Sequence, residues 1–204
     1  MTAEAEGQCG DSVWWFLSGD TLVLYGSGET WCFGLKQSDI QSWAKEDYEN
    51  GRAFTTYPEY YEYREAIRRF VVLPGVDFLR DGLAIGLYWL EEVEFGTVSS
   101  CWLNFRNIKT LKEVVFPESM ASIGSYMFIE GGIEKITILN ASAEIGEYFC
   151  YECSSLREIW FGGNEKIEQP LFWGMNLSEV TFYVKPGSDA ERFAEQKGIS
   201  YEYY

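Results

Sequence analysis

The chain contains no histidine among its 204 residues. That removes the side chain that most often serves as a general base near neutral pH, and the commonest imidazole metal ligand. Ser-His-Asp and Cys-His catalysis are therefore excluded. Nor is there an apolar run approaching the roughly 18 to 20 residues of a membrane-spanning helix, so membrane insertion is not expected. The opening residues, Met1-Thr-Ala-Glu-Ala-Glu6, offer neither the basic n-region nor the apolar h-region of an export signal. The expectation is a cytosolic protein, or an exported one whose signal has been removed. Basic residues are scarce, 16 Lys and Arg against 32 Asp and Glu, and the resulting net charge of −16 is spread along the chain. Such a field repels phosphate backbones and anionic headgroups, so neither nucleic acid nor an anionic membrane surface is an expected partner.

Cysteine is also sparse. Cys9, Cys32, Cys101, Cys150 and Cys153 are odd in number and irregularly spaced, which is not the pattern of a disulfide scaffold. Cys9 and Cys32 flank a predicted hairpin and are placed to meet across its open end, a bridge the spacing allows without requiring. Cys150-Tyr-Glu-Cys153 has the spacing of a redox or zinc motif, but no second CxxC and no histidine completes four ligands. Two small apolar residues at core positions account for it better. No D-x-[DN]-x-[DN]-G calcium loop is present, and no metal or cofactor is expected.

What the chain does have is a recurrent phrase. Leu90-Glu-Glu-Val93-Glu-Phe95, Leu111-Lys-Glu-Val114-Val-Phe116, Ile133-Glu-Lys-Ile136-Thr-Ile138, Leu156-Arg-Glu-Ile159-Trp-Phe161 and Leu177-Ser-Glu-Val180-Thr-Phe182 share one pattern, with Ile67-Arg-Arg-Phe70-Val-Val72 as an earlier copy. Starts at 67, 90, 111, 133, 156 and 177 give a period of 21 to 23 residues. Self-similarity at this period marks a solenoid, because one unit cannot bury its own apolar face and must stack on a neighbour. Apolar positions 1, 4 and 6 fit a short strand with 4 and 6 inward and 3 and 5 on the other face. A second apolar group follows in Ile123 with Phe128, Ile145 with Phe149 and Ile167 with Phe172. It should line an opposite wall, expected to be irregular or turn-rich.

The predicted organisation is a disordered N-terminus at 1–8, a β-hairpin cap at 9–33, an aromatic-rich connection at 34–66, repeats at 67–182 and a C-terminal cap at 183–204. Val13-Trp-Trp-Phe-Leu17 and Thr21-Leu-Val-Leu-Tyr25, joined at Ser18-Gly19-Asp20, read as the hairpin. In the connection, Ser38 to Glu46 is expected to form a short helix with Ile40 and Trp43 inward, and Glu59 to Arg69 another turn or two. The tail reads strand, helix, strand, with Ser188 and Glu191 as a capping box and Gly198 as the stop. The fold class is thus an α+β repeat solenoid with one short parallel strand per repeat.

The repeat core Leu111-Lys-Glu-Val-Val-Phe-Pro-Glu-Ser-Met-Ala-Ser-Ile-Gly-Ser-Tyr-Met-Phe128 resembles the BspA-type leucine-rich repeat, L-x-x-V-x-I-P-x-S-V-T-S-I-G-x-x-A-F-x-x-C-x-S. Residues 133–155 resemble it again through Ile145-Gly146 and Cys153-Ser-Ser-Leu156. Cys9-Gly-Asp11 with its Trp-bearing hairpin, and the terminal phrase from Tyr183 to Tyr201, are similar to modules common in that family. Residues 96–110 and 162–176 depart from the pattern, and Cys150 stands where Phe is usual. The resemblance implies a right-handed leucine-rich repeat solenoid, export to the bacterial surface or medium, and adhesion or ligand binding, with no catalytic residues to carry over.

If positions 3 and 5 align across strands, one column reads Arg69, Glu92, Glu113, Lys135, Glu158, Glu179 and the other Val71, Glu94, Val115, Thr137, Trp160, Thr181. A solvated face with compensating ion pairs explains these columns on its own. The functional alternative is recognition of a cationic peptide or a sugar by Glu92, Glu94, Glu113 and Glu158 around Trp160, using carboxylate acceptors and an aromatic face. Tyr57, Tyr60 and Tyr61 in the connection form a second candidate surface. Paired carboxylates also suggest a glycosidase, but acids along an open sheet lack the fixed separation and raised pKa that reaction needs. The expected function is therefore a non-catalytic extracellular or cell-surface module binding a protein or glycan in adhesion. The alternatives are a structural spacer in a larger surface protein and an enzyme of unfamiliar type.

Overall fold

The computed structural model describes residues 4–42, 44–165, 167 and 170–204. Three strands open it: β1 (Ala5–Gln8), β2 (Val13–Ser18) and β3 (Thr21–Gly26), followed by the two-residue β4 (Gly28–Glu29). The β2–β3 hairpin turns at Gly19, which sits at φ +60 where a side chain is costly. Residues 5–8 are not disordered as expected, since β1 pairs antiparallel with β2 from Ala5 opposite Leu17 to Gln8 opposite Trp14. Residues 1–3 of that expectation lie outside the described residues.

Two short helices, α1 (Gln37–Ile40) and α2 (Lys45–Glu49), and a 3-10 turn at Glu59–Tyr63 occupy the connection. A single helix from Ser38 to Glu46 does not form. Ile40 is buried in a small cluster with Cys32, Leu35, Ala44 and Ala53; Trp43 lies outside the described residues. The segment is pinned by Arg80, whose guanidinium reaches Glu29 at 2.7 Å and Asp47 at 2.5 Å. Cys9 belongs to the main core and Cys32 to this smaller cluster, and both are free thiols, so the bridge between them does not form.

From residue 69 onward the chain coils. β5 (Arg69–Val72), β7 (Glu92–Glu94), β9 (Glu113–Phe116), β11 (Lys135–Ile138), β13 (Glu158–Phe161) and β14 (Thr181–Val184) stand side by side in one wall. β3 joins it parallel to β5, so the hairpin supplies the wall's first coil. The opposite wall is a second parallel sheet, where the sequence led us to expect irregular chain. Here β6 (Val76–Leu79), β8 (Ser100–Cys101), β10 (Ser122–Ile123) and β12 (Glu144–Ile145) continue from β4. Most of its strands are two residues long, below what alternation can reveal.

A third side is made of stacked turns. Phe105 N–H donates to Met127 carbonyl at 2.7 Å, Phe128 N–H to Phe149 carbonyl at 2.9 Å, and Glu130 N–H to Tyr151 carbonyl at 3.0 Å. These coil-to-coil bonds satisfy backbone groups that would otherwise be buried and unpaired. Between the walls lies one continuous core. Phe95 stacks on Phe116 at 5.3 Å and Phe105 on Phe128 at 5.7 Å. Each fully buried ring of this kind contributes about 1.5 to 3 kcal/mol. Cys150 and Cys153 are both buried in this core as free thiols.

Helix α3 (Asp189–Lys197) and strand β15 (Ser200–Tyr203) complete the chain, with β15 parallel to β14. Ser188 Oγ accepts the Glu191 N–H at 3.2 Å, and Gly198 ends the helix at φ +68. The reciprocal half of the capping box is replaced: the Glu191 carboxylate accepts from Gly187 N–H and from Tyr203 hydroxyl.

Candidate functional site

Strand alternation puts every second residue of the first wall outward. The register sets Arg69 opposite Glu92 and Val71 opposite Glu94, and farther along sets Lys135 between Glu113 and Glu158. β7 and β9 pack beside one another, which brings the two groups onto one face. Glu92, Glu94, Glu113, Glu158 and Trp160 are thus assembled as a row.

The row is largely self-paired. Arg69 bonds Glu92 at 2.7 Å and Glu94 at 2.9 Å, and Lys135 bonds Glu113 at 2.9 Å. Hydrogen bonding to Glu92 raises the Arg69 pKa, and hydrogen bonding to Glu113 raises that of Lys135. All these groups are substantially exposed, so each pair contributes little to stability.

At the last repeat the columns differ from the sequence alignment. Glu158 faces Thr181 and Trp160 faces Tyr183, where Glu179 and Thr181 were expected. Glu179 sits before the strand, in a 3-10 turn, and pairs with Arg157 at 3.3 Å. A slip of two residues keeps every side chain on its own face, so the hydrophobic pattern does not detect it. Its effect is to lay Tyr183 flat on Trp160, with centroids 3.9 Å apart and planes 7° from parallel. Tyr204 meets the same indole edge-on at 4.9 Å, Lys135 Nζ lies 5.7 Å from its centre, and its Nε1 donates to Glu158 at 3.1 Å. Trp160 is therefore half-buried within an aromatic cluster, with Tyr183 covering one face of its indole.

The tyrosines of the connection separate. Tyr60 is fully buried, its ring edge-on to Trp15 at 5.3 Å and its hydroxyl donating to Leu83 carbonyl at 2.7 Å. It is a structural residue, which corrects its placement on a binding surface. Tyr57 and Tyr61 stack at 4.2 Å, and Arg64 lies over Tyr61 at 4.4 Å. They sit in the connection, outside the first-wall row.

A second feature was missed altogether. On the second wall an open groove of about 730 Å³ runs over β10 and β12, lined by Asp81, Trp102, Ser122, Ser125, Tyr126, Glu144 and Gly146 among others. Trp102, Gly124 and Gly146 occupy one repeat position at 22-residue spacing. The glycines form the floor, since a Cβ on Gly124 would lie 2.9 Å from Trp102 Cα. Asp81 also borders a neighbouring cleft of about 460 Å³ that holds Lys36, Asp39, Tyr88, Asn104 and Arg106. Burial pushes the Asp81 carboxyl above its ordinary value, a shift opposed by the Gly82 N–H it accepts at 2.8 Å. The 22-residue recurrence of Tyr126 and Tyr148 was the signal available in the sequence.

Comparison with known proteins bears on the repeats. Residues 103–188 match the BspA type leucine rich repeat region in six copies. A crystal structure of a leucine-rich repeat protein from Eubacterium ventriosum is similar at 17% identity and a TM-score of 0.48. That likeness covers 76% of this chain and 44% of the other, so the chain spans less than half of that protein's length. No curated protein gives a significant match.

Proposed function

We propose, from the premise that residues 103–188 are a BspA-type leucine-rich repeat region, that the chain is a non-catalytic recognition module acting outside the cell or at its surface. It binds a protein partner through the outward face of the first wall, in an adhesive role. The observation that supports this reading is the row Arg69, Glu92, Glu94, Glu113, Lys135, Glu158 and Trp160, carried in register on consecutive strands. Its carboxylates outnumber its cations, and with a net charge of −16 on the chain the favoured partner presents a basic surface, which such a field steers toward the site.

The test is capture of extracellular-matrix proteins on an array by the purified chain, beside a Glu113→Lys/Glu158→Lys variant and a Trp160→Ala variant. Partners lost in both variants support the face as the site. Partners retained at full strength in both overturn it, and an array with no partner at all favours a structural spacer.

A further inference from the structure

We infer that the groove on the second wall is a saccharide-binding site for neutral or amino-sugar oligosaccharides. It is separate from the first-wall face and stands whether or not that face binds protein. Three observations carry it. Trp102 and Tyr126, 50% and 44% exposed, line the groove together with Gly124 and Gly146, which offers aromatic surface to the C–H faces of sugars. Trp102 packs edge-on against Phe78 at 4.9 Å, and Tyr126 stacks on Tyr148 at 5.0 Å. Neither ring needs to be ordered on binding, which lowers the entropic cost of recognition.

Polar groups of the right kind line the groove: Asp81, Ser122, Ser125 and Glu144. One Asp81 oxygen accepts from Gly82 N–H. Carboxylates accept from sugar hydroxyls strongly, and they repel uronic and sialic acids, which sets the ligand class.

The backbone of Tyr126 is the third observation. It lies at φ +57, in the left-handed region where a bulky side chain is strained. Aromatic residues at Tyr126 and again at Tyr148, φ +55, are kept where the backbone favours glycine. Strain of this sort is found at functional positions, and here it recurs in the same turns at Glu130, φ +50, and Glu152, φ +54.

The experiment is calorimetric titration of the whole chain with chitohexaose, cellohexaose, xylohexaose, mannohexaose and maltohexaose, and with polygalacturonate as the acidic control. Variants are Trp102→Ala, Tyr126→Asn and, on the hairpin, Trp14→Ala, an exposed tryptophan with no part in either face. Asparagine tolerates the left-handed backbone, so Tyr126→Asn should melt within a few degrees of the parent and separate binding from folding. At least one neutral hexasaccharide should bind, with affinity falling about tenfold or more in each groove variant and unchanged in Trp14→Ala. Polygalacturonate should not bind. No binding by any neutral hexasaccharide, or binding that survives both groove substitutions, would overturn the site.

Discussion

Arg80 shows how much one side chain can organise. It is the point at which the hairpin, the connection and the second wall are tied, through Glu29 and Asp47 and through its backbone N–H to Thr30 Oγ at 2.9 Å. Its side chain is mostly buried, so the pairs are weakly screened, and removal leaves Asp47, among the described residues, with Arg52 at 3.0 Å. Arg80→Ala is expected to cost about 2 to 4 kcal/mol in chemical denaturation; a loss under about 0.5 kcal/mol would mean the connection is held by its small apolar cluster instead. Asp81, next in the chain, makes a pH-dependent contribution. Its folded pKa is raised above 3.8, first by burial and further by Asp39, so the folded state holds the proton longer than the unfolded one. Its contribution is therefore fully present below 3.8 and lost as pH rises through the raised value. Asp81→Asn should gain in melting temperature relative to the parent between about pH 3 and about pH 7, and a difference that stays flat would refute the shift.

Elements were legible in proportion to their length and repetition. The four-residue strands β9, β11 and β13 follow from Val114 with Phe116, Ile136 with Ile138 and Ile159 with Phe161, because inward alternation recurs with each copy. β8, β10 and β12 have two residues each and no alternation to show. The row of acids was visible for the same reason as the long strands. The groove was not, because the 22-residue recurrence of Trp102, Gly124 and Gly146 marks one repeat position without showing that these residues line a concave face. The register of β14 was ambiguous by two residues, and it has a measurable consequence. With Tyr183 against Trp160, a double-mutant cycle of Trp160→Ala and Tyr183→Ala should give a coupling of about 0.5 to 1.5 kcal/mol. The register read from sequence, with Thr181 opposite Trp160, requires instead that the coupling appear between Trp160 and Thr181.

At the scale of the molecule, stability in a stack is a sum of coils and the interfaces between them, so an uncovered end has consequences beyond its own residues. The hairpin covers one end, laying Trp15, Leu17, Leu22 and Leu24 against Phe70 and Val72. At the other end, Phe182 and Phe172 are covered by Phe193 of α3, with ring centroids 6.3 and 6.1 Å away. β15 adds a strand beside β14, and Tyr204 caps the Trp160 cluster while donating to Phe161 carbonyl at 2.8 Å. Ending the chain before residue 185 would expose those two phenylalanines and leave the β14 backbone unpaired on one side, which together form a template for edge-to-edge association. The shortened chain is expected to self-associate, with a larger mass by light scattering and a broader thermal transition than the parent. A monomer that melts as sharply as the parent would show that the coils up to β14 close the core by themselves, and that α3 and β15 are there for the aromatic cluster on the first wall.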